Sequence, residues 1–489
     1  MRRAVLTLVL LATAGALSSC GGGERSPEDY DATVEPEERA EGAQQHPQLL
    51  AEFGGAYESP ESRYVARLGE KVAVAAGLGG QCTFTLVNTD VVNAFAVPGC
   101  FIYVTRGLMG IVNSEAQLAS VLAHEVGHIV ADHSQRQRRR SVLTGLSAMA
   151  VGLLTGSERL ASFAGRAAEL FTLRYSRQQE FESDALGIHY VRQAGYDPYS
   201  AAEMLDALGR NEALMARTRG DDGKSIPGWA RTHPLTEDRI ARATAKARGT
   251  GAAPGALPEG EVPYLRELDG LLYGDDPVQG YVQGRRFAHP EMRLSFEAPP
   301  GFSLTNTPRA VLIDGSDGSR GQFGGGPLPR AGLEAYAVEL MRQVIGDPGG
   351  SVQTGAMQRG FVAGVPTVVL PVSVQSEQGS ADVAVAAYAA HGGGAFHFVV
   401  IGPPTAESRA ARARLFESFR PLSADEVARL RPRLIDVVPV RAGDTLTSMA
   451  ARMAVAELPL EHFLMLNDRQ PDQPLRPGEL VKIVTYAGR

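Results

Sequence analysis

The run Ser114-Glu-Ala-Gln-Leu-Ala-Ser-Val-Leu-Ala-His124-Glu125-Val-Gly-His128-Ile129 restricts this 489-residue chain more than any other. Ser114 followed by Gln117 reads as a capping box, so a helix starts there. Leu118, Val121, Leu122, Val126 and Ile129 then recur at helical spacing. On that helix His124 and His128 are i,i+4 neighbours, so both imidazoles leave one face and can hold one Zn²⁺. Glu125 lies about 100° round from His124, beside such an ion rather than on it. That position suits a general base acting on a zinc-activated water. Two solvated histidines are the plain alternative, and the capped apolar helix argues against it. A catalytic zinc needs a third protein ligand and an open position, so another element must fold against this helix.

The segment Tyr175-Ser-Arg-Gln-Gln-Glu180-Phe-Glu182-Ser-Asp184 is the best source of that ligand. Glu180 and Asp184 share a helix face. One can ligate zinc while the other accepts the N–H of a ligand histidine; a solvated acidic pair is the alternative. Glu182 points about 200° away from Glu180 on a helix and is read as outside the site. His133 and His189 are read as structural.

Net charge is −7, from 48 basic and 55 acidic residues, which argues against nucleic acid as the main partner. Arg136 and Arg138–Arg140 read as a solvated helix face. At the N-terminus Arg2 and Arg3 precede the apolar run Ala4–Leu17, then Leu17-Ser-Ser-Cys20. Residues 1–19 therefore read as a secretory signal, and the last four residues resemble a bacterial lipobox. That resemblance implies acylation of Cys20 and a lipid anchor, and Gly21 favours the outer membrane of a Gram-negative bacterium. Cys82 and Cys100 begin two apparent strands whose ends meet in either available topology, so they form a disulfide or are two small buried hydrophobes. Composition divides the chain into a flexible acidic tether over 20–45, a mainly helical domain over 46–247, a linker over 248–284, an α+β domain over 285–425 and a last module over 432–487. Leu143–Gly156 is apolar but too short for a membrane span and reads as a buried or partly mobile helix near the active site, with membrane-surface contact as the alternative.

Asn93-Ala94-Phe-Ala-Val-Pro-Gly99, Phe101 to Leu108, the His124–His128 helix, Glu180 to Asp184, Ala194-Gly-Tyr-Asp-Pro198 and Thr232-His233-Pro-Leu235 resemble, in order, the CAAX-prenyl-protease-type zinc metallopeptidases. More narrowly they resemble the soluble periplasmic lipoprotein (BepA-like) branch. The resemblance implies a mainly α, zincin-like (gluzincin) domain with a small antiparallel or mixed sheet and one Zn²⁺ per chain. It implies that Glu180 is the third ligand and Asp184 the acid behind a ligand histidine. Asn93 and Ala94 would lie on a strand that takes substrate backbone by β-addition. It also implies that His233 can approach zinc and hold the enzyme latent; on its own chemistry His233 is equally a loop histidine or an oxyanion donor. Arg239 would orient that segment or bind substrate. No helical-repeat superhelix of the kind this branch carries follows. Instead Val440-Arg-Ala-Gly-Asp-Thr-Leu446 and Leu475-Arg-Pro-Gly-Glu-Leu-Val-Lys-Ile483 resemble a βααβ LysM module, which implies peptidoglycan contact, with a structural adaptor as the alternative.

The expected function is a membrane-anchored, periplasmic zinc endopeptidase that hydrolyses unfolded, misassembled or stalled envelope proteins, with Glu125 as general base. A chaperone or assembly scaffold with latent proteolysis is the second reading, and a cell-wall hydrolase the third.

Overall fold

The computed structural model describes residues 27–30, 32–136, 175–218, 229, 233–234, 237–346, 351–376, 379–390 and 392–488. The expected signal segment, Cys20, Arg138–Arg140 and Leu143–Gly156 lie outside them. Among the described residues no helix is long and apolar enough to cross a membrane.

The stretch expected to be a flexible tether to residue 45 is in part a helix, α1 (Pro36–Glu52), with proline in its first turn. Leu49 and Phe53 bury against Phe101 and Tyr103, and Arg39 donates to Gly99 O at 2.8 Å and Thr83 Oγ1 at 2.7 Å. These contacts lie far away in sequence, which is why an acidic composition concealed them. Helix α2 (Pro60–Ala75) then packs on a sheet of β1 (Thr83–Val87), β2 (Ala94–Val97) and β3 (Phe101–Thr105), in the order β1-β3-β2. β1 runs parallel to β3 and β2 antiparallel to it, so the sheet is mixed and β2 is an edge. Parallel pairing brings Cys82 and Cys100 to one end, where they are disulfide-bonded.

Short α3 (Arg106–Ile111) leads into α4 (Glu115–Val130). Ser114 Oγ accepts from Gln117 N–H at 3.1 Å, but Gln117 Oε1 accepts from Asn113 N–H at 2.8 Å, one residue before the position a capping box uses. Every residue from Ala116 to His128 is buried. Fully buried Leu118, Val121, Leu122 and Val126 each contribute roughly 1.5–3 kcal/mol, offsetting the cost of taking two histidines and a glutamate out of water. Helix α5 (Arg177–Gln193), started by a Ser176–Gln179 capping box, packs on α4. The two backbones approach closely because glycine occupies both sides of the contact. A Cβ on Gly127 would meet Ser183 Oγ at 2.8 Å and Ser183 O at 3.0 Å; one on Gly187 would meet His124 N at 3.1 Å. Helices α6 (Ser200–Thr218) and α7 (Glu237–Gly249) cover α4 and α5.

The expected linker over 248–284 is open chain only in its first part. Helix α8 (Glu261–Leu268) buries Tyr264, Leu265 and Leu268, and Tyr264 donates to Met109 O at 2.7 Å. β4 (Leu272–Tyr273) pairs with Arg433 and Leu434. β5 (Tyr281–Gln283) joins β6 (Arg286–His289), β7 (Leu294–Glu297) and β16 (Arg420–Pro421) in the order β16-β7-β6-β5. The glycines and prolines of 249–260 gave a loop signal that the apolar residues after Glu261 override.

Residues 302–417 form an α+β unit around β8 (Phe302–Asn306), β9 (Val311–Gly315), β10 (Arg320–Pro327), β11 (Ser351–Thr354), β12 (Gln358–Val362), β13 (Val365–Ser376), β14 (Gly379–Ala389) and β15 (Gly394–Gly402). The order is β11-β13-β14-β15-β10-β9-β8, with β12 also on β13. Alternate residues of β14 feed two cores. Ala384, Ala386 and Tyr388 meet α10 (Ala406–Glu417), whereas Val383, Val385 and Ala387 meet α9 (Leu333–Ile345).

The C-terminal order is β17 (Arg433–Pro439), α11 (Leu446–Ala450), α12 (Pro459–Leu466) and β18 (Leu480–Tyr486), the βααβ order the sequence implied. Its core is continuous with that around α4: Ile435, Met449, Phe463 and Val484 belong to one cluster with Leu108, Met109 and Leu118. Buried Lys482 donates to Gly110 O and Val112 O, each at 2.9 Å. Burial pushes its ammonium down to about 7, against Asp468 and Glu261, which favour the charge.

Two predictions follow from this packing. An unfolded chain keeps the Lys482 proton to about pH 10.4, so between pH 7 and 10 the unfolded state binds more protons and rising pH stabilises the fold. The slope is about 1.4 kcal/mol per pH unit at most. Thermal melts of Lys482→Met should rise less over that window than wild type, and parallel profiles would contradict the burial. Replacing both Cys82 and Cys100 by Ala removes a closure of 18 residues and should cost ~3 kcal/mol in denaturant unfolding.

Candidate metal centre

Four side chains converge where α4, α5 and the segment holding His233 meet: His124, His128, Glu180 and His233, all buried, with one ligand atom each within 4.8 Å of the others. Their separations have the size of a coordination shell. His124 Nε2 is 3.0 Å from His128 Nε2 and 3.2 Å from His233 Nδ1. Glu180 Oε1 is 3.6 Å from His128 Nε2 and 3.0 Å from His233 Nδ1, and Glu180 Oε2 is 3.5 Å from His124 Nε2. A tetrahedron with Zn–N and Zn–O bonds of about 2.0–2.1 Å has edges of about 3.3 Å. Three imidazole nitrogens and one carboxylate oxygen at these spacings suit Zn²⁺, both in donor type and in size.

The helical spacing read from sequence accounts for the α4 donors. Close contact at Gly127 and Gly187 supplies the rest, bringing the α5 carboxylates up to them. Ser183 Oγ also donates to His124 O. Glu180 faces His124 and His128, and Asp184 Oδ1 lies 2.9 Å from His124 Nδ1. Arg239 was expected to orient the His233 segment or bind substrate. Its guanidinium is buried, donating to Asp184 Oδ1 at 2.7 Å and Oδ2 at 2.9 Å, with Nη1 2.8 Å from Glu180 Oε2. Its Nη1 also donates to Pro234 O at 3.4 Å, next to His233.

The electrostatics follow from burial and these pairs. Burial raises the Glu125 carboxyl, only partly countered by His233 and His124, and neither Glu125 oxygen has a hydrogen-bond partner. Burial opposes ionisation of Glu180 and Asp184 too, but His233 and Arg239 for the first, and Arg239 and His124 for the second, hold both low. Burial, then His124, His233 and His133, hold His128 well below the usual imidazole range, which keeps it neutral as a ligand must be. At His233 burial is outweighed by Glu180 and Glu125, and its pKa rises. His233 Nε2 stands 3.6 Å from Glu125 Oε1, so this ring touches both the candidate ligand set and the candidate base.

Asn93 and Ala94 are buried at the start of the edge strand. Asn93 O accepts from Thr105 N–H at 3.0 Å and Asn93 N–H donates to Thr105 Oγ1 at 3.0 Å. Strand alternation therefore turns the backbone groups of Val92, Ala94 and Ala96 to the outer edge. Val92 O there accepts from Trp229 N–H at 3.0 Å, and Trp229 O accepts from His233 N–H at 2.8 Å. The indole stacks on the His233 ring, with centroids 4.3 Å apart.

Three side chains around His128 escaped sequence reading. Tyr175 stacks on His128 with centroids 3.9 Å apart. His133, read as structural, places Nδ1 2.7 Å from His128 Nδ1, and Glu182, read as outside the site, lies behind it. The two histidines stand five apart in sequence, and that proximity was the available signal.

The family model for peptidase family M48 matches residues 59–247. Over 196 residues the chain is 31% identical to the "Beta-barrel assembly-enhancing protease" of Escherichia coli (strain K12), covering 38% of this chain and 39% of that one. It is 29% identical over 201 residues to the protein of the same name from Yersinia pestis, covering 39% and 40%. It is 30% identical over 186 residues to "Mitochondrial metalloendopeptidase OMA1" of Schizosaccharomyces pombe, covering 37% and 51%. The chain thus spans between two-fifths and a half of the length of these relatives. The family match over residues 59–247 takes in both α4 and α5, with His124, Glu125, His128 and Glu180.

Proposed function

We propose that this chain is a zinc-dependent endopeptidase of the bacterial envelope, acting on misfolded or stalled exported proteins. The observation that carries the reading is the convergence of His124, His128 and Glu180 beside Glu125, whose carboxylate is buried and without a hydrogen-bond partner. Zinc held by those three ligands would supply Lewis acidity, polarising a peptide carbonyl and making water acidic near neutral pH. Glu125, its pKa raised by burial, takes the proton of the attacking water and returns it to the leaving amine. Asp184 and Arg239 hold His124 and Glu180 in place. The outer edge of β2, at Ala94 and Ala96, accepts an extended peptide through backbone hydrogen bonds, giving loose sequence preference. Unfolded chains offer such segments and folded ones do not. The names of the relatives, a β-barrel assembly-enhancing protease and a mitochondrial metalloendopeptidase, support a metal-dependent endopeptidase, and the first supports a place beside β-barrel assembly. Periplasmic location, attachment to the outer membrane through an acylated Cys20, and contact of residues 432–487 with peptidoglycan complete the proposal.

A latent resting state is favoured by a specific observation. His233 stands within coordination distance of His124 and Glu180, and the same segment donates from Trp229 to the outer edge at Val92. With His233 in the fourth position no open site is left for water.

Casein cleavage by the Cys20→Ser chain tests the reading. Glu125→Gln should lower the rate by ~10²–10⁴-fold with zinc content unchanged. If Cys20→Ser and its Glu125→Gln and His233→Ala derivatives all leave casein intact, the scaffold reading replaces the peptidase. His233→Ala separates plug from catalyst by sign. A plug predicts a rise of about tenfold, corresponding to a closed state favoured by about 1.4 kcal/mol. An oxyanion donor predicts a loss of about 10²–10³-fold.

A further inference from the structure

We propose that His133 and Glu182 form a positioning relay that fixes the tautomer and ring orientation of His128, with Tyr30 and Arg136 clamping its outer end. The inference rests on the metal centre proposed above and adds to it two residues that the expected ligand set does not contain.

The geometry determines the direction of each hydrogen bond. His128 turns Nε2 toward His124 and Glu180, so that atom must keep its lone pair for the metal and the ring must carry its proton on Nδ1. Nδ1 of His128 faces Nδ1 of His133 at 2.7 Å. His133 must therefore accept there and carry its own proton on Nε2, which lies 3.1 Å from Glu182 Oε2. A carboxylate can only accept, so the chain of donors is consistent from end to end: His128 Nδ1–H to His133, then His133 Nε2–H to Glu182. His133 has no exposure to solvent, so water does not compete for either of its nitrogens.

The outer end is held as firmly. Glu182 Oε2 accepts from Arg136 Nη2 at 2.7 Å, and Glu182 Oε1 accepts from the Tyr30 hydroxyl. Burial would raise this carboxyl, but the hydrogen bonds from His133, Tyr30 and Arg136 bring it down to about 2. The two α4 histidines are then supported in parallel. Each ends on an α5 carboxylate that an arginine holds: His124 directly on Asp184 with Arg239, His128 through His133 on Glu182 with Arg136. Helix α5 presents Glu182 away from Glu180, and His133 spans the gap. Tyr30 brings the segment before α1 into the same network.

Zinc affinity of the full chain tests the relay, with the metal-free protein titrated against a chromophoric chelator. Groups behind a ligand histidine typically govern 10–100-fold in metal affinity, so His133→Ala and Glu182→Gln should each weaken zinc binding by about that factor. Because His133→Ala opens a hole in the core, Glu182→Gln, at a side chain 25% exposed, is the decisive variant. Nitrogen-15 spectra of the zinc-loaded wild type should show His128 protonated at Nδ1 and His133 at Nε2, a signature that a merely packing role does not require. Folded Glu182→Gln protein that binds zinc within twofold of wild type, or a His128 protonated at Nε2, would overturn the relay. Wild-type protein that takes up no zinc, or a His128→Ala variant that takes it up equally well, would instead sink the metal centre beneath it.

Discussion

The contact between α4 and α5 is the constraint on which the site depends. His124 and His128 share a face because of helical geometry alone, but a face of two histidines becomes a metal centre only when a carboxylate stands about 3.5 Å away. That distance requires the helices to touch backbone to side chain at Gly127, Ser183 and Gly187. A methyl group at either glycine must push the helices apart by several tenths of an ångström. Such a displacement would open the 3.5 Å and 3.6 Å separations between Glu180 and the imidazoles. Ligand geometry tolerates shifts of only that order, so the small residues are as necessary to the centre as the ligands themselves.

Bringing these groups together places three histidines, three carboxylates and an arginine out of contact with water. The arrangement is stable only if nearly every charge has a counterpart. Arg239 pairs with two carboxylates at once, and buried apolar α4 positions lie beside the cluster. Glu125 is the exception: it has histidines nearby but no hydrogen-bond donor on either oxygen. Its raised pKa is the electrostatic consequence of that isolation, and the same isolation leaves it available to receive a proton. A structural carboxylate would have been paired.

What the sequence made legible was local. The ligand helix, its start at Ser114, the Glu180–Asp184 face and the terminal βααβ order depend on spacing within one segment, and spacing is visible in a string of residues. What stayed hidden depended on the chain turning back or meeting distant elements. Helix α4 ends at Val130, and Asp132 takes a left-handed conformation with φ 52°; this turn brings His133 back to His128, so helical periodicity could not find it. The first part of α1, Pro36 to Gln45, looks like a tether until Thr83 and Gly99 are placed beside Arg39. The residues of α8 look like the end of a linker until Met109 is placed beside Tyr264. Lys482 is drawn into the core by the carbonyl groups at the end of α3, which no spacing within its own strand reveals.

The proximity of edge strand and metal centre has an energetic consequence for the proposed peptidase. Trp229 and His233 are joined by a backbone hydrogen bond and a ring stack, so they respond as a unit. A peptide that adds to the outer edge of β2 competes with the Trp229 N–H for Val92 O. Displacing Trp229 removes the stacking partner that holds His233 over the ligand cluster. In the proposed peptidase, occupation of the edge would thus be coupled to opening of the fourth position: a ligand that binds only the open form shifts the equilibrium by its differential affinity. In the proposed peptidase a chain long enough to pair along β2 would gain several backbone hydrogen bonds, each worth roughly 0.5–1.5 kcal/mol. Short or folded partners gain too little. Length of accessible extended chain, rather than side-chain sequence, then becomes the quantity to which the site responds.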